Sequence, residues 1–189
     1  MMADLHDYSM SLLRGDVVRL RSLSEKDLPK LVSWWNDPAW KLYQSGVVAP
    51  SSDMSVAEQF RSWSKNNNSG DFGFSIEEIK TGQLLGHVTL WGIDPVVRIG
   101  NIGIIIGGEH VDQGFGTDAI RVLLRFAFEE LRVNKVELCV WEFNLRAVHV
   151  YKRLGFKTEG VRREATFHNG RYWSQIQMGM LNSEYLMSR

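Results

Sequence analysis

At 189 residues the chain is long enough for one domain with a substantial core and short for two. Hydrophobic residues make up 44% and charged residues 23%, and 22 Lys+Arg balance 22 Asp+Glu. That neutrality argues against nucleic-acid binding driven by bulk charge. No apolar run reaches the ~20 residues of a membrane helix, and one cysteine, Cys139, leaves no intrachain disulfide and no multi-cysteine zinc site.

The opening "MMADLHDYSMSLLRGD" lacks a basic stretch followed by an apolar one, so a cytoplasmic protein is expected. Residues 1–14 read as a loosely held arm, 15–183 as a single domain and 184–189 as a tail. "VVRLRSL" (Val17–Leu23) alternates as a strand does. A helix follows in "LSEKDLPKLVSWWNDP", with either Ser24 as its cap and Asp27 closing the box, or Asp27 as cap and Pro29 in the first turn. Pro38 is expected to end it. A second helix is expected over "SVAEQFRSWSKNN", capped by Ser55. Seven tryptophans, four of them in the first third, pack the core or line an aromatic cleft or interface.

Strands are expected at Phe72–Ile79 and Leu84–Ile93 around a turn at Thr81-Gly82, and a third at Asn101–Gly107. The glycine-containing loop "VDQGFGTDA" (Val111–Ala119) then enters a helix running to about Arg132, with Ile120, Leu123, Leu124, Ala127, Phe128 and Leu131 on one stripe. Lys135–Phe143 reads as a buried strand and "NLRAVHVYKRLGF" as a short helix stopped by Gly155. A hairpin around "HNG" closes the chain. The order implies an α/β or α+β plan with a parallel crossover between the 101–107 and 135–143 strands.

Gly114 and Gly116 leave main-chain N–H groups open at a helix start, which suits either a plain loop or a phosphate cradle. The dinucleotide fingerprint fails at Ala119, and no Lys-Ser/Thr completes a nucleotide-triphosphate loop. The five histidines show no metal-ligand spacing, so no metal is expected. Cys139, inside an apolar strand, is expected to be a buried small hydrophobe.

Asn144, Arg146, Ala147, Tyr151 and Gly155-Phe156 directly follow a strand. In that spacing they resemble the second acetyl-CoA motif of the GNAT superfamily of N-acetyltransferases, and the glycine loop resembles the family's pyrophosphate motif. Val111 stands where that motif has Arg or Gln. "WWNDPAW" and "EGVRREATFHNGRYW" look like the RimJ/RimL branch, with Ser174 where many members are acidic, and the likeness runs from about Val17 to Leu181. The resemblance implies the GNAT fold: a mixed, mostly antiparallel sheet of six to seven strands flanked by helices, splayed between the 101–107 and 135–143 strands.

It further implies direct acetyl transfer from acetyl-CoA to a primary amine, either a small molecule or a protein N-terminus, with no covalent enzyme intermediate. Main-chain groups near Ile104, Ile105 and Ile106 would hold the pantetheine arm and face the thioester carbonyl. The amides of Asp112, Gln113, Gly114, Phe115, Gly116 and Thr117 would receive the pyrophosphate. Asn144 would bind the arm near its cysteamine end beside Ala147, and Tyr151 would protonate the departing thiolate. Arg153 and Arg146 would reach the phosphates or serve as solvated helix charges. Glu109, His110, Asp112, Glu137 and Glu142 border the motifs, each as a solvated surface charge or as a general base, and many family members need only a water chain to remove the amine proton. His149 is expected to have a surface or packing role. Nucleic acid and membrane are not expected as partners, and a homodimer is. The rival reading is a catalytically idle acyl-CoA-binding module, slightly favoured by Val111.

Overall fold

The computed structural model describes residues 2–44 and 46–187. Seven strands form one sheet in the order β1-β2-β3-β4-β5-β7-β6. They are β1 (Val18–Arg21), β2 (Phe72–Glu78), β3 (Leu84–Trp91), β4 (Ile99–Ile106), β5 (Lys135–Trp141), β6 (Lys157–His168) and β7 (Arg171–Leu181). All neighbours are antiparallel except β4 and β5. This is the mixed sheet of the expected fold.

The exception places the site. β4 and β5 pair only where Ile99–Asn101 face Lys135–Glu137. Beyond Asn101 the strands part, while β4 keeps its full register with β3. Gly107 donates its N–H to the Leu85 carbonyl, which makes the odd-numbered β4 residues those that exchange bonds with β3. The N–H and C=O groups of Ile104 and Ile106 therefore point the other way, into the gap, and those of Ile105 do not.

One core lies between the sheet and α5 (Phe115–Arg125), joining Ile120, Leu123 and Leu124 to Val88, Ile102 and Val136. A second lies under α2 (Leu28–Asn36) and α4 (Asp53–Trp63), where Leu31, Trp34, Val56 and Phe60 cover Leu84 and Ile105. Each fully buried large apolar side chain contributes about 1.5–3 kcal/mol. Between the two cores Asp27 ties β1, β2 and the start of α2 together. It accepts both Arg21 guanidinium nitrogens (2.7 and 2.9 Å), the Ser75 hydroxyl (2.8 Å) and the Ser24 N–H (2.9 Å). Burial pushes its carboxyl up, but these hydrogen bonds hold it below the usual range.

Several expectations change. Asp27 does reach back to Ser24, but over a short 3-10 turn, Glu25–Asp27, before α2 begins at Leu28. Pro38 starts a further helix, α3 (Pro38–Gln44). Its missing N–H costs nothing there, and the Asp37 side chain accepts from Ala39 N–H. Ser52, not Ser55, caps α4, accepting the Ser55 N–H at 3.2 Å. The long helix gives way after Arg125 to a wide turn over Phe126–Glu130, closed by Leu131 N–H on the Phe126 carbonyl. β5 ends at Trp141. Cys139 is exposed, because the buried positions of β5 are Val136, Leu138 and Val140 on the opposite face.

The expected arm carries α1 (Met2–Ser11) and is tied down. Arg125 donates to the carbonyls of Ser11, Leu12 and Arg14, and Tyr8 to Glu130. The expected tail overlaps α7 (Asn182–Met187), where Lys157 pairs with Glu184 at 2.6 Å. Met1, at the start of the expected arm, and Ser188 and Arg189 of the expected tail lie outside the described residues.

Candidate active site

A cleft of about 1130 Å³ follows the open edge of β4, from the loop before α5 to the rings of α2–α4. At the loop end, Gly114 is the N-cap of α5 with φ 85°. Only glycine adopts that conformation without strain, and here it lets the first turn of α5 open onto the cleft beside Ile104 and Ile106. Asp112, Gly114, Gly116 and Thr117 line this end, as does Val111. Gln113 is turned aside, its amide on the Glu109 carbonyl at 3.0 Å, and the half-buried Phe115 packs against the core.

Asp118 was not marked by any sequence signal, yet it fixes this helix start. Its buried carboxylate accepts the N–H groups of Asp16 (3.2 Å), Val17 (2.8 Å) and Val18 (3.0 Å). The N-terminal segment is thus bound to the first turn of α5, and three main-chain donors are satisfied by one charge.

The β5 side of the cleft is built by α6 (Leu145–Arg153). Asn144 caps this helix, its Oδ1 accepting the Ala147 N–H at 3.2 Å, so its amide nitrogen is the group left to face the cleft. Tyr151 lies two turns on, 9% exposed, packed edge-on against Phe156 at 5.7 Å and lining the cleft. Burial pushes its phenol up to about 12, so it is protonated throughout the physiological range. Ala147 lines the cleft too. Arg146 stands at the mouth, its guanidinium 5.2 Å from the Trp40 ring centre and 3.5 Å from Asp112. Arg153 is exposed and does not line the cleft.

The sequence candidates for acid–base work separate in the same way. His110 and Asp112 line the cleft, whereas Glu109, Glu137 and Glu142 do not. Glu109 accepts from the Trp34 indole (3.1 Å), Glu137 pairs with Lys135 (2.7 Å) and Glu142 accepts the Ser174 N–H (2.6 Å). His149 is exposed.

The far end of the cleft is aromatic. Trp40 lies over Gly108, where a Cβ would come within 2.3 Å of its indole nitrogen, so the glycine allows the ring to sit beside the loop. Trp35, Phe60 and Trp63 pack edge to face at 5.5–5.8 Å, and Phe60 meets His87 at 5.1 Å. His87 is 2% exposed, with Nε2 2.8 Å from the Ser64 hydroxyl. Burial lowers its pKa to about 4, so it is neutral near pH 7. Sequence reasoning missed His87 and Ser64, which are 23 residues apart and meet only through the packing of α4 on β3. Cys139 also lines the cleft, with its thiol pushed up by burial and by Glu137. Among the described residues no group of three or more His, Cys, Asp or Glu is placed to hold a metal, and no helix is long and apolar enough to cross a membrane.

Comparison with known proteins places this geometry. The chain is 31% identical to a spermidine N-acetyltransferase from Vibrio cholerae solved with CoA and spermine. The TM-score is 0.79, covering 89% of this chain and 98% of that one. It is 34% identical over 105 residues to the spermidine N(1)-acetyltransferase of Escherichia coli K12. It is 35% identical over 104 residues to YdaF of Bacillus subtilis, a candidate ribosomal N-acetyltransferase. Those two alignments take in 56% and 55% of this chain, which spans only 56% and 57% of the two relatives' lengths. Residues 18–157 match the acetyltransferase (GNAT) domain family, and the chain belongs to it.

Proposed function

We propose that the protein is an acetyl-CoA-dependent N-acetyltransferase that moves the acetyl group directly to a primary amine. The observation that carries this is the unpaired edge of β4 at Ile104 and Ile106. It runs from the Gly114 helix start to the wall holding Asn144 and Tyr151. Strand-like hydrogen bonds from that edge suit an extended amide-bearing arm, and the α5 N-terminus suits a pyrophosphate. The solved relative that holds CoA supports the same reading.

When bound, acetyl-CoA supplies an activated acyl group on sulfur. The chain's residues would do the rest. The Ile104 N–H donates to the carbonyl oxygen as charge grows on it. Asn144, already held by its capping bond, donates its amide to the arm. Tyr151 delivers a proton to sulfur as the new C–N bond forms and the C–S bond breaks, while the amine's proton leaves through water. Burial keeps the phenol protonated until the thiolate forms. The main-chain amides of Asp112, Gln113, Gly114, Phe115, Gly116 and Thr117 remain the proposed phosphate donors, with Arg146 in place of Arg153.

We assign the chain to the RimJ/RimL-like branch on "WWNDPAW" and "EGVRREATFHNGRYW" and place its action in the cytoplasm. A homodimer is proposed through β6 and β7, which expose Val161, Phe167 and Tyr172. Light scattering tests it, with a monomeric mass at micromolar concentration as the contrary result. Calorimetry with acetyl-CoA and thiol release with an amine panel test the function. Binding with turnover is expected, and binding without turnover on any amine supports the idle module instead.

A further inference from the structure

The aromatic end of the cleft differs from what a polyamine requires. Its walls are Trp35, Trp40, Tyr43, Trp63 and Trp91, and its floor carries His87, Thr89 and Asn101. Trp91 lies against the β4 main chain, since a Cβ at Gly103 would come within 3.1 Å of its ring. It is nevertheless 44% exposed, toward open space.

Of the charged Asp, Glu, Lys and Arg side chains among the described lining residues, Asp112 and Arg146 belong to the loop end, and Lys65 and Asp71, which sum to zero, are left for this one. The acids at both ends are already engaged. Asp71 accepts the Gly92 N–H (3.0 Å) and the Asn68 amide (3.2 Å), and Asp112 faces Arg146. His87 adds no charge, because burial keeps it neutral. A polyamine brings several ammonium groups, each of which needs a carboxylate when it leaves water, and Lys65 repels the surplus. The rings instead remove apolar area from water and offer faces for planar groups. A low-charge pocket also favours the neutral amine, the form that attacks.

We propose, resting on the N-acetyltransferase reading, that the acceptor is a monoamine carried on an aromatic body. The rings take that body and direct the amine toward the β4 edge at Gly103–Ile104. The Vibrio cholerae relative was solved with spermine, so the two proteins would share the transfer chemistry and differ in the acceptor.

Thiol release from acetyl-CoA is measured on the full chain with tryptamine, phenylethylamine, spermidine and a short peptide bearing a free N-terminus. The kcat/KM for tryptamine is expected to exceed that for spermidine at least about tenfold. Trp91→Ala should remove most of that advantage through KM, and because this position is half-exposed the variant's thermal unfolding midpoint is expected to stay near that of the parent chain. Lys65→Glu should raise the rate with spermidine. Spermidine or the peptide turned over as well as tryptamine would overturn the acceptor class and leave the transferase reading standing. Acetyl-CoA bound with no thiol release from any amine would overturn the transferase reading, and the acceptor class with it.

Discussion

From Gly114 to Ile104 the cleft presents main chain, and from Trp35 to Trp91 it presents side chains. The loop end consists of N–H groups aimed by a helix start and by the unpaired edge of a strand that is itself bound along its other side. The aromatic end is assembled from α2, α3, α4 and β3, elements that meet only through packing. A main-chain site tolerates changes in the side chains around it but not in backbone conformation. A side-chain site can be rewritten one residue at a time without disturbing the sheet or the loop.

The strongest way to separate the two ends is at the residue proposed to serve the chemistry. Tyr151→Phe removes the proposed proton donor without emptying its packed site. We expect kcat to fall about 10²–10⁴-fold with acetyl-CoA affinity by calorimetry unchanged within about threefold. Equal loss of both would mean that Tyr151 is a packing residue. Next in size is the anchor under the loop end. Asp118→Ala leaves three main-chain N–H groups without their charged acceptor and should lower unfolding free energy in urea by about 3 kcal/mol. A change under about 1 kcal/mol would show the anchor to be incidental.

At the aromatic end the corresponding test is pH. His87 keeps a pKa of about 4 when folded and returns to about 6.5 when unfolded. The unfolded chain therefore binds a proton that the folded chain refuses. Stability is full above pH 6.5 and falls by about 3 kcal/mol as pH drops toward 4. In His87→Gln that part of the slope should vanish from urea titrations at successive pH values, whereas an unchanged slope would assign it to other groups. The smallest expected effect lies at the glycine. Gly114→Ala forces a Cβ into left-handed backbone and costs about 1 kcal/mol. It should weaken acetyl-CoA several-fold while leaving the acceptor KM unchanged.

The loop and the Asn144–Tyr151 helix were legible in the sequence because their requirements are local. A glycine with positive φ, a capping asparagine and a tyrosine two turns later are all set within one stretch of chain. Which isoleucine offers its main chain to the gap was not legible, since parity in β4 follows from its register with β3. The choice between Arg146 and Arg153 was equally hidden, because it depends on where α6 meets the loop and Trp40. Cys139 misled for a related reason. An apolar strand reads as buried on both faces, but the splay from β4 leaves one face of β5 open to the cleft.

By itself the sequence determined the strand order along the chain, the crossover that makes one parallel pair, and the glycine and asparagine motifs flanking it. Periodicity, capping and turn chemistry act over a few residues and do not need the rest of the molecule. Tertiary structure alone decided that Trp35, Trp40 and Trp63 converge on the far end of that gap while Trp34 is buried in the core, and that Asp118 and His87 are buried. It also decided that the cleft's charges cancel. Those properties depend on residues far apart in the chain sharing one desolvated space, and burial arises only when the elements pack.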